Sequence, residues 1–486
     1  MRFNFSAIGQ ILGFLLLMNG FFMGTCIPVA YYLHNETDLI ALFYSSSISA
    51  FLGGFTWLIA KKKQTDKEMH TRDGYIIVTF GWLIMSASGS LPYLFSGAIP
   101  AFTDAFFETI SGYSTTGASV LNNIESLPKD ILLWRSMTQW LGGMGIIVLA
   151  VAILPLLGIG GMQLFVAEAP GISPDKLQPR IAETAKRLWL IYIGLTGLET
   201  ILLMIGGMSL YDAINHSFTT MSSGGFSTKQ DSAVNFSPFI QYVIIFFMIL
   251  AGSNFTLTYF ALKGRFKKVL EDEELRYYLA SILIFTLAIG GTIYFIKDLG
   301  AEKSFRDALF QVVSIITTTG YVSADYTAWN HFALTCIFIL MFFGASAGST
   351  AGGIKVVRHI ILLKNSFLEF RRQIHPRAII PVRLNRKAVS QDIVFNVIAF
   401  VMIYIMIFAV SSIILSFVGV DLITSMGAVA TCLGNVGPGL GKVGPMDNFA
   451  GIPAVGKWLL SILMLMGRLE LFTVLMLFSP YYWTKN

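Results

Sequence analysis

The chain has 486 residues, of which 55% are hydrophobic and only 13% charged. A soluble domain carries about 25% charged residues, so composition excludes an ordinary soluble protein. The net charge of +6 comes from 34 Lys and Arg against 28 Asp and Glu, and its clustering between apolar stretches argues against nucleic-acid binding.

In chain order, candidate spans fall at 7–33, 38–60, 74–98, 131–157, 187–209, 236–262, 276–297, 329–343, 391–417 and 453–480. Apolar stretches of about 18 or more residues are long enough to cross a hydrocarbon core of ~30 Å. The expected fold is an all-α polytopic membrane protein. The first stretch is too long for a signal-peptide core and has no clear small-residue cleavage site. Basic residues cluster at Lys61, Lys62, Lys63, Lys67 and Arg72, then at Lys176, Arg180, Lys186 and Arg187. A third cluster holds Lys263, Arg265, Lys267, Lys268 and Arg276, and the largest runs from Lys355 through Arg371, Arg372, Arg377, Arg383, Arg386 and Lys387. The positive-inside rule assigns these segments, and with them both termini, to the cytoplasm. Segments around Ser114, Ser223, Thr318 and Asn435 then lie outside. Cys26, Cys336 and Cys432 are scattered in apolar surroundings and read as buried small hydrophobes.

Those outer segments repeat. STTG ends at Gly117, SSGG at Gly225, TTTG at Gly320 and the weaker GNVG at Gly437, at spacings of 108, 95 and 117 residues. An Asp-Ala pair precedes three of the glycines by 13 residues, at Asp104, Asp212 and Asp307. In the fourth copy Asp421 stands 16 residues ahead and Thr424 holds the matching place. Each Asp-Ala reads as the start of a short helix, because an acidic first turn suits the positive end of the helix dipole. About a dozen residues is half a span. Each module therefore reads as a full helix, a half helix, a polar glycine turn and a second full helix. Irregular backbone at membrane depth persists only where protein or water surrounds it, so four such turns are expected to converge on one axis. There their carbonyls can replace the hydration shell of a cation. Re-entrant packing turns without an ion path are the alternative.

This arrangement resembles the TrkH/KtrB/HKT superfamily of potassium transport proteins, most closely its bacterial TrkH-type pore subunits. The resemblance covers nearly the whole chain and includes RSMTQWLGGMGI (135–146), AEAPGISPDKLQPRIAETAKRLW (167–189) and GASAGSTAGGIK (344–355). It implies an added helix pair at 1–60 and pore modules at 74–157, 187–262, 276–362 and 391–480, forming a pseudo-fourfold pore in one chain and a homodimer of two chains. It places the selectivity filter on Ser114, Thr115, Thr116 and Gly117; on Ser222, Ser223, Gly224 and Gly225; on Thr317, Thr318, Thr319 and Gly320; and on Gly434, Asn435, Val436 and Gly437. Potassium would bind at Thr115, Thr116, Ser223, Gly224, Thr318, Thr319, Asn435 and Val436. Glycine rather than serine at 117 favours potassium, with moderate sodium discrimination and acceptance of rubidium.

GASAGSTAGGIK interrupts what should be a long helix, since Gly344, Gly348, Gly352 and Gly353 are poor interior helix formers. Close helix packing is one reading of such small residues. The resemblance implies the other: an intramembrane gating loop of Gly344, Ala345, Ser346, Ala347, Gly348, Ser349, Thr350, Ala351, Gly352 and Gly353. Arg468 lies well inside the last apolar span, where a charge is costly and faces a partner or a water-filled cavity. A bridge to a carbonyl or carboxylate is one role; the resemblance implies a positive barrier beneath the filter. Arg135 begins the second helix of module one and is expected to brace the filter turns. Gln139 and Trp140 are expected to pack.

GLGKVG (439–444) follows no strand, so it is no dinucleotide site, and GSTAGGIK lacks a phosphate loop's ending. The histidines are dispersed, the glycosylation acceptor Asn35-Glu36-Thr37 means little if the source is bacterial, and no nucleophile–base pair points to an enzyme. No cofactor is expected in the chain: potassium is cargo, and a nucleotide is expected only on a separate cytosolic TrkA-type ring docked on the basic loops. The expected localisation is the bacterial inner membrane. A sodium- or proton-coupled symporter is the competing transport reading, with Glu199 its one candidate residue, although a structural hydrogen bond suits Glu199 better. A non-conducting receptor or scaffold is the reading from another class.

Overall fold

A computed structural model describes residues 3–62, 71–143, 145, 181–297, 300–378 and 380–484. Lys63, Lys67, Lys176, Arg180, residues 144 and 146–157 of the fourth predicted span and most of 167–189 lie outside the described residues.

α1 (Phe5–Gly24) and α3 (Glu36–Lys62), joined through α2 (Ile27–Tyr32), form the N-terminal hairpin. Their backbones approach so closely that a Cβ on Gly13 would stand 2.7 Å from Gly53 O, and one on Gly20 2.8 Å from Ser46 O. Small residues at the crossing permit this contact, and van der Waals packing then holds helices that lipid would otherwise solvate equally well.

Four modules follow. The first holds α4 (Thr71–Gly89), α5 (Leu91–Phe95), α6 (Phe102–Tyr113) and α7 (Lys129–Gly143). The second holds α8 (Ile181–Ile205), α9 (Leu210–Met221), α10 (Pro238–Gly252) and α11 (Phe255–Leu262), with α12 (Phe266–Leu270) leading on. The third holds α13 (Glu273–Lys297), α14 (Ala301–Ile316), α15 (His331–Leu340) and α16 (Val356–Ile374), then a two-stranded hairpin pairing β1 (Arg383–Leu384) with β2 (Lys387–Ala388). The fourth holds α17 (Gln391–Phe417), α18 (Leu422–Gly434), α19 (Ala454–Arg468), α20 (Phe472–Phe478) and α21 (Pro480–Trp483). Among the described residues six helices are long and apolar enough to cross a bilayer, and α10 with α11 makes a seventh if the bent pair is one span. The chain is a multi-pass helical membrane protein.

The half helices α6, α9, α14 and α18 are 12, 12, 16 and 13 residues long and sit buried inside the bundle. Asp104 and Asp212 occupy first turns, as their spacing predicts, and Ser209 caps α9 by accepting from Asp212 N at 3.1 Å. Asp307 does not start its helix. α14 begins six residues earlier, and Glu302 takes the place at the dipole's positive end. In the fourth copy Asp421 is itself the N-cap, accepting from Thr424 N at 3.0 Å, which explains the three-residue offset.

Three predicted spans are broken. The 236–262 span bends by 107° after Gly252, because Asn254 starts a new helix by capping Thr256 N at 2.8 Å. The 329–343 span is helical only over His331–Leu340, beyond which residues 341–355 run as irregular backbone. The 453–480 span stops at Arg468, with Glu470 in the left-handed region at φ 55°.

Candidate functional site

Each half helix ends in the same turn. Thr116 N donates to Ser111 O (2.9 Å), Gly224 N to Thr219 O (2.9 Å), Thr319 N to Ser314 O (2.8 Å) and Val436 N to Thr431 O (2.8 Å). This six-residue closure is the Schellman motif, which requires a left-handed residue one place earlier. That residue is Thr115, Ser223, Thr318 and Asn435, at φ 53°, 58°, 54° and 55°. None is glycine, and a non-glycine residue there is strained. Gly117, Gly225, Gly320 and Gly437 then follow, also at positive φ (81°, 74°, 80° and 103°).

The glycines show how the four turns meet. A Cβ on Gly117 would fall against Gly224 O, one on Gly225 against Thr319 O, one on Gly320 against Val436 O, and one on Gly437 against Thr116 O, each within 3.0 Å. Turn one thus abuts turn two, two abuts three, three abuts four, and four abuts one. The ring closes, with the same peptide of each turn beside its neighbour's glycine. The four helices aim their negative C-terminal ends at this ring. Its hydroxyls are buried and paired, Ser114 Oγ with Thr116 Oγ1 at 2.7 Å and Thr317 Oγ1 with Thr319 Oγ1 at 2.8 Å.

The irregular segment 344–355 lies directly beneath. Gly344 N donates to Ile354 O (2.7 Å), closing its two ends. Ser346 N donates to Gly252 O (3.0 Å) and Phe255 N to Gly348 O (3.1 Å), so the segment uses the backbone groups freed by the 107° bend. Its Thr350 Oγ1 meets Ser223 Oγ at 2.6 Å, and Gly352 N donates to Thr318 Oγ1 at 2.8 Å. A Cβ on Gly352 would stand 2.6 Å from Asn435 Cβ. Arg468 donates to Thr115 Oγ1 (3.3 Å), to Thr350 O (2.5 Å) and to the carbonyls of Gly142 and Gly143 at the end of α7. All four left-handed residues of the ring thereby face the segment or Arg468.

A family model described as TrkH, cation transport protein, matches residues 41–485. The chain belongs to the TrkH family. It is 40% identical over 99% of its length to a protein of Salmonella typhimurium named Trk system potassium uptake protein TrkH, all of which it covers. It is 35% identical over 98% of its length to TrkG, another Trk system potassium uptake protein, of Escherichia coli, covering 98% of that chain. The crystal structure of the potassium transporter TrkH from Vibrio parahaemolyticus superposes with a TM-score of 0.88 at 37% identity, covering all of both chains.

Several residues of this TrkH-family chain do work that spacing alone does not reveal. Gln139, expected to pack, donates to Gly224 O (2.7 Å) and accepts from Phe226 N (3.0 Å), holding the second turn from outside the ring. Asn435 donates to Thr116 Oγ1 (2.9 Å) and Met464 O (2.8 Å), tying turns one and four to α19. Trp140 does pack, stacked on Phe218 and Tyr192, and its indole N–H donates to Thr196 Oγ1 at 3.2 Å. Glu199 is fully buried, and neither of its oxygens has a hydrogen-bond partner among the described residues. Neighbouring Thr220 donates to His216 O at 2.7 Å. Glu470 pairs with Arg358 of α16, across the bundle. The 439–444 segment is a single 3-10 turn, Gly441–Val443, with neither strand nor helix opening from it.

Arg135 stands in the interior of α7 rather than at its start, because the helix begins at Lys129. It bonds Glu108 Oε1 at 2.7 Å and donates to Ser227 O at 3.1 Å, with its guanidinium 3.5 Å from the Phe226 ring centroid. Glu108 also accepts from Ser119 Oγ (2.9 Å) and Val120 N (2.8 Å), just past the first turn. The pair clamps turns one and two together, and both partners are buried. Glu108→Ala would leave a buried arginine unpaired, a loss of about 3–5 kcal/mol. Thermal unfolding in detergent is expected to drop sharply for that variant and less for Glu108→Gln/Arg135→Gln. Equal stability of all three proteins would refute the clamp.

Proposed function

We propose that this chain carries potassium into the cell across a bacterial inner membrane, through a channel-like path whose filter is the four-turn ring. The closed contact of each glycine with the next turn's carbonyl carries this reading, because only a closed set of turns can surround an ion. The names of the relatives, potassium uptake proteins, fit it. Potassium would exchange its water for oxygens of Thr115, Thr116, Ser223, Gly224, Thr318, Thr319, Asn435 and Val436. Strained but fixed backbone keeps those oxygens in place as water leaves. The 344–353 segment with Arg468 would be the gate, closed in the arrangement described. No covalent chemistry is required.

The basic ends would face the cytoplasm, in keeping with the excess of Lys and Arg there. Both termini would lie on that side: Arg72 donates to Thr484 O at 3.2 Å, bringing the C-terminal end to a basic segment. Two copies would form a homodimer, and a cytosolic nucleotide-binding ring of the TrkA type would dock on the basic loops to move the gate.

Rubidium flux into liposomes held at an inside-negative potential tests the reading. Uptake blocked by potassium more than by sodium is expected. Uptake with no preference between them would overturn it. If no flux occurs, adding the regulatory ring with ATP is expected to start it; continued silence would favour a non-conducting role. Currents reversing at the potassium equilibrium potential under any sodium or proton gradient are expected, whereas a shifted reversal would establish coupling.

A further inference from the structure

On the side of the bundle where the basic segments gather lies a cavity of about 930 Å3, none of whose lining residues belongs to the filter turns or to the segment beneath them. Four stretches wall it. α8 contributes Arg187; the α11–α12 turn contributes Lys263 and Arg265, with Lys268 from α12 itself; α13 contributes Arg276; and the hairpin contributes Arg386 and Lys387. Three acids, Glu271, Asp272 and Glu273, share the lining, and two of them are already committed. Asp272 caps Leu275 N at 2.9 Å and accepts from Asn385 Nδ2 at 3.1 Å. Glu273 pairs with Lys364 and accepts from Asn385 N at 3.0 Å. These bonds fix one wall. Among the described residues none of Lys263, Arg265, Lys268, Arg386 and Lys387 has an ion-pair partner. The lining thus carries seven basic side chains against three acids.

A volume of this size suits a small-molecule ligand, and the lining selects for an anion with several oxygens. Arginine meets phosphate with a planar fork and lysine with a point charge. On the same α11–α12 stretch Leu262, Phe266 and Leu270 are apolar and exposed, at 69%, 61% and 71%. The 107° bend turns α11 away from the axis of α10. Apolar side chains alternating with lysine and arginine on such a helix are the pattern of a segment seated among lipid headgroups.

The cavity also adjoins the clasp of the segment beneath the filter. Glu274, beside Glu273, accepts from Ala347 N at 2.7 Å and from Val357 N at 3.3 Å, one near each end of that segment. The first residue of α11, Phe255, donates to Gly348 O. An anion drawn between α11–α12 and α13 would pull on both holds at once.

We propose that this cavity binds a phosphate-bearing anion, either the headgroup of an anionic phospholipid or a soluble nucleotide, and that occupancy sets the position of the 344–355 segment. The regulatory half of this inference rests on the gating reading above; the binding half does not.

The test titrates the purified full chain in neutral detergent with short-chain phosphatidylglycerol, short-chain phosphatidylcholine, ATP and inorganic phosphate. Calorimetry reads binding and thermal unfolding reads stabilisation. A saturable rise in Tm is expected with phosphatidylglycerol or with the soluble phosphates, and none with phosphatidylcholine. Phosphatidylglycerol alone would identify a lipid, and ATP or phosphate a soluble ligand. Lys263→Gln/Arg265→Gln/Arg386→Gln changes exposed side chains, so its unliganded Tm should match the parent while its apparent Kd rises at least about tenfold. Lys61→Gln/Lys62→Gln, in another basic segment, should bind like the parent. No saturable binding, or equal weakening in both variants, would overturn the site. Rubidium flux with and without the bound probe tests the regulatory half, and unchanged flux would overturn that half while leaving the binding result intact.

Discussion

Gly117→Ser is expected to lower the preference for rubidium over sodium by about tenfold while leaving measurable flux. Gly225→Ala and Gly320→Ala are expected to abolish nearly all flux. The reasoning starts from the backbone. All three glycines have φ near 80°, where a side chain costs about 1–3 kcal/mol. A cost of 1.4 kcal/mol corresponds to about tenfold in an equilibrium. Each new Cβ also meets the carbonyl of the next turn, Gly224 O for Gly117, Thr319 O for Gly225 and Val436 O for Gly320. That carbonyl must rotate or retreat, and it is one of the oxygens assigned to the ion. The second turn has some support of its own, since Gln139 holds Gly224 O from outside, so the first substitution should deform rather than destroy the ring. Liposome rubidium uptake with potassium and sodium competitors reads both quantities. Wild-type selectivity in Gly117→Ser, or wild-type flux in Gly225→Ala, would show that the ring is not the filter.

Arg468→Gln is expected to raise potassium flux in the absence of any regulator by roughly tenfold, and Arg468→Lys to raise it much less. A positive charge within a few ångströms of a bound cation repels it by a few kcal/mol at an effective dielectric constant of about 20. Arg468 stands beside Thr115 of the ring, so in the proposed path a potassium ion leaving the ring inward would meet that charge. Glutamine removes the charge and retains a donor for Thr350 O, whereas lysine retains the charge. The pair therefore separates repulsion from anchoring. If both variants raise flux equally, the bonds to Thr350, Gly142 and Gly143 are what closes the path, and the charge is incidental. If neither changes flux, Arg468 is a structural bridge only.

One sequence-level expectation failed for want of backbone partners. The 236–262 stretch reads as an uninterrupted span because hydropathy counts side chains and ignores backbone partners, whereas the interruption at 344–355 is expected from its glycines. In the folded chain, Gly252 O and Phe255 N are satisfied by Ser346 N and Gly348 O, so the second span can bend where the third module's irregular segment docks. Each break supplies the hydrogen bonds that the other lacks. The late position of Asp307 in α14 has a simpler cause: Glu302 offered an earlier acidic start, and nothing in the 13-residue spacing could exclude it.

Sequence alone determined the membrane class, the four modules and the register of their turns. Long apolar runs have one stable environment, and a fourfold Gly register is visible as spacing. It also singled out 344–355 and Arg468, because glycine-rich backbone and a charge at membrane depth both demand a special setting. Only the tertiary structure decided that the turns close in order, one against two, two against three, three against four and four against one. It alone brought Gln139 to Gly224, Asn435 to Thr116, and Arg468 to three separate segments. Those contacts join residues up to 353 positions apart. Their partners are backbone carbonyls and hydroxyls, groups common to many residues, so no local pattern marks them until the helices have packed.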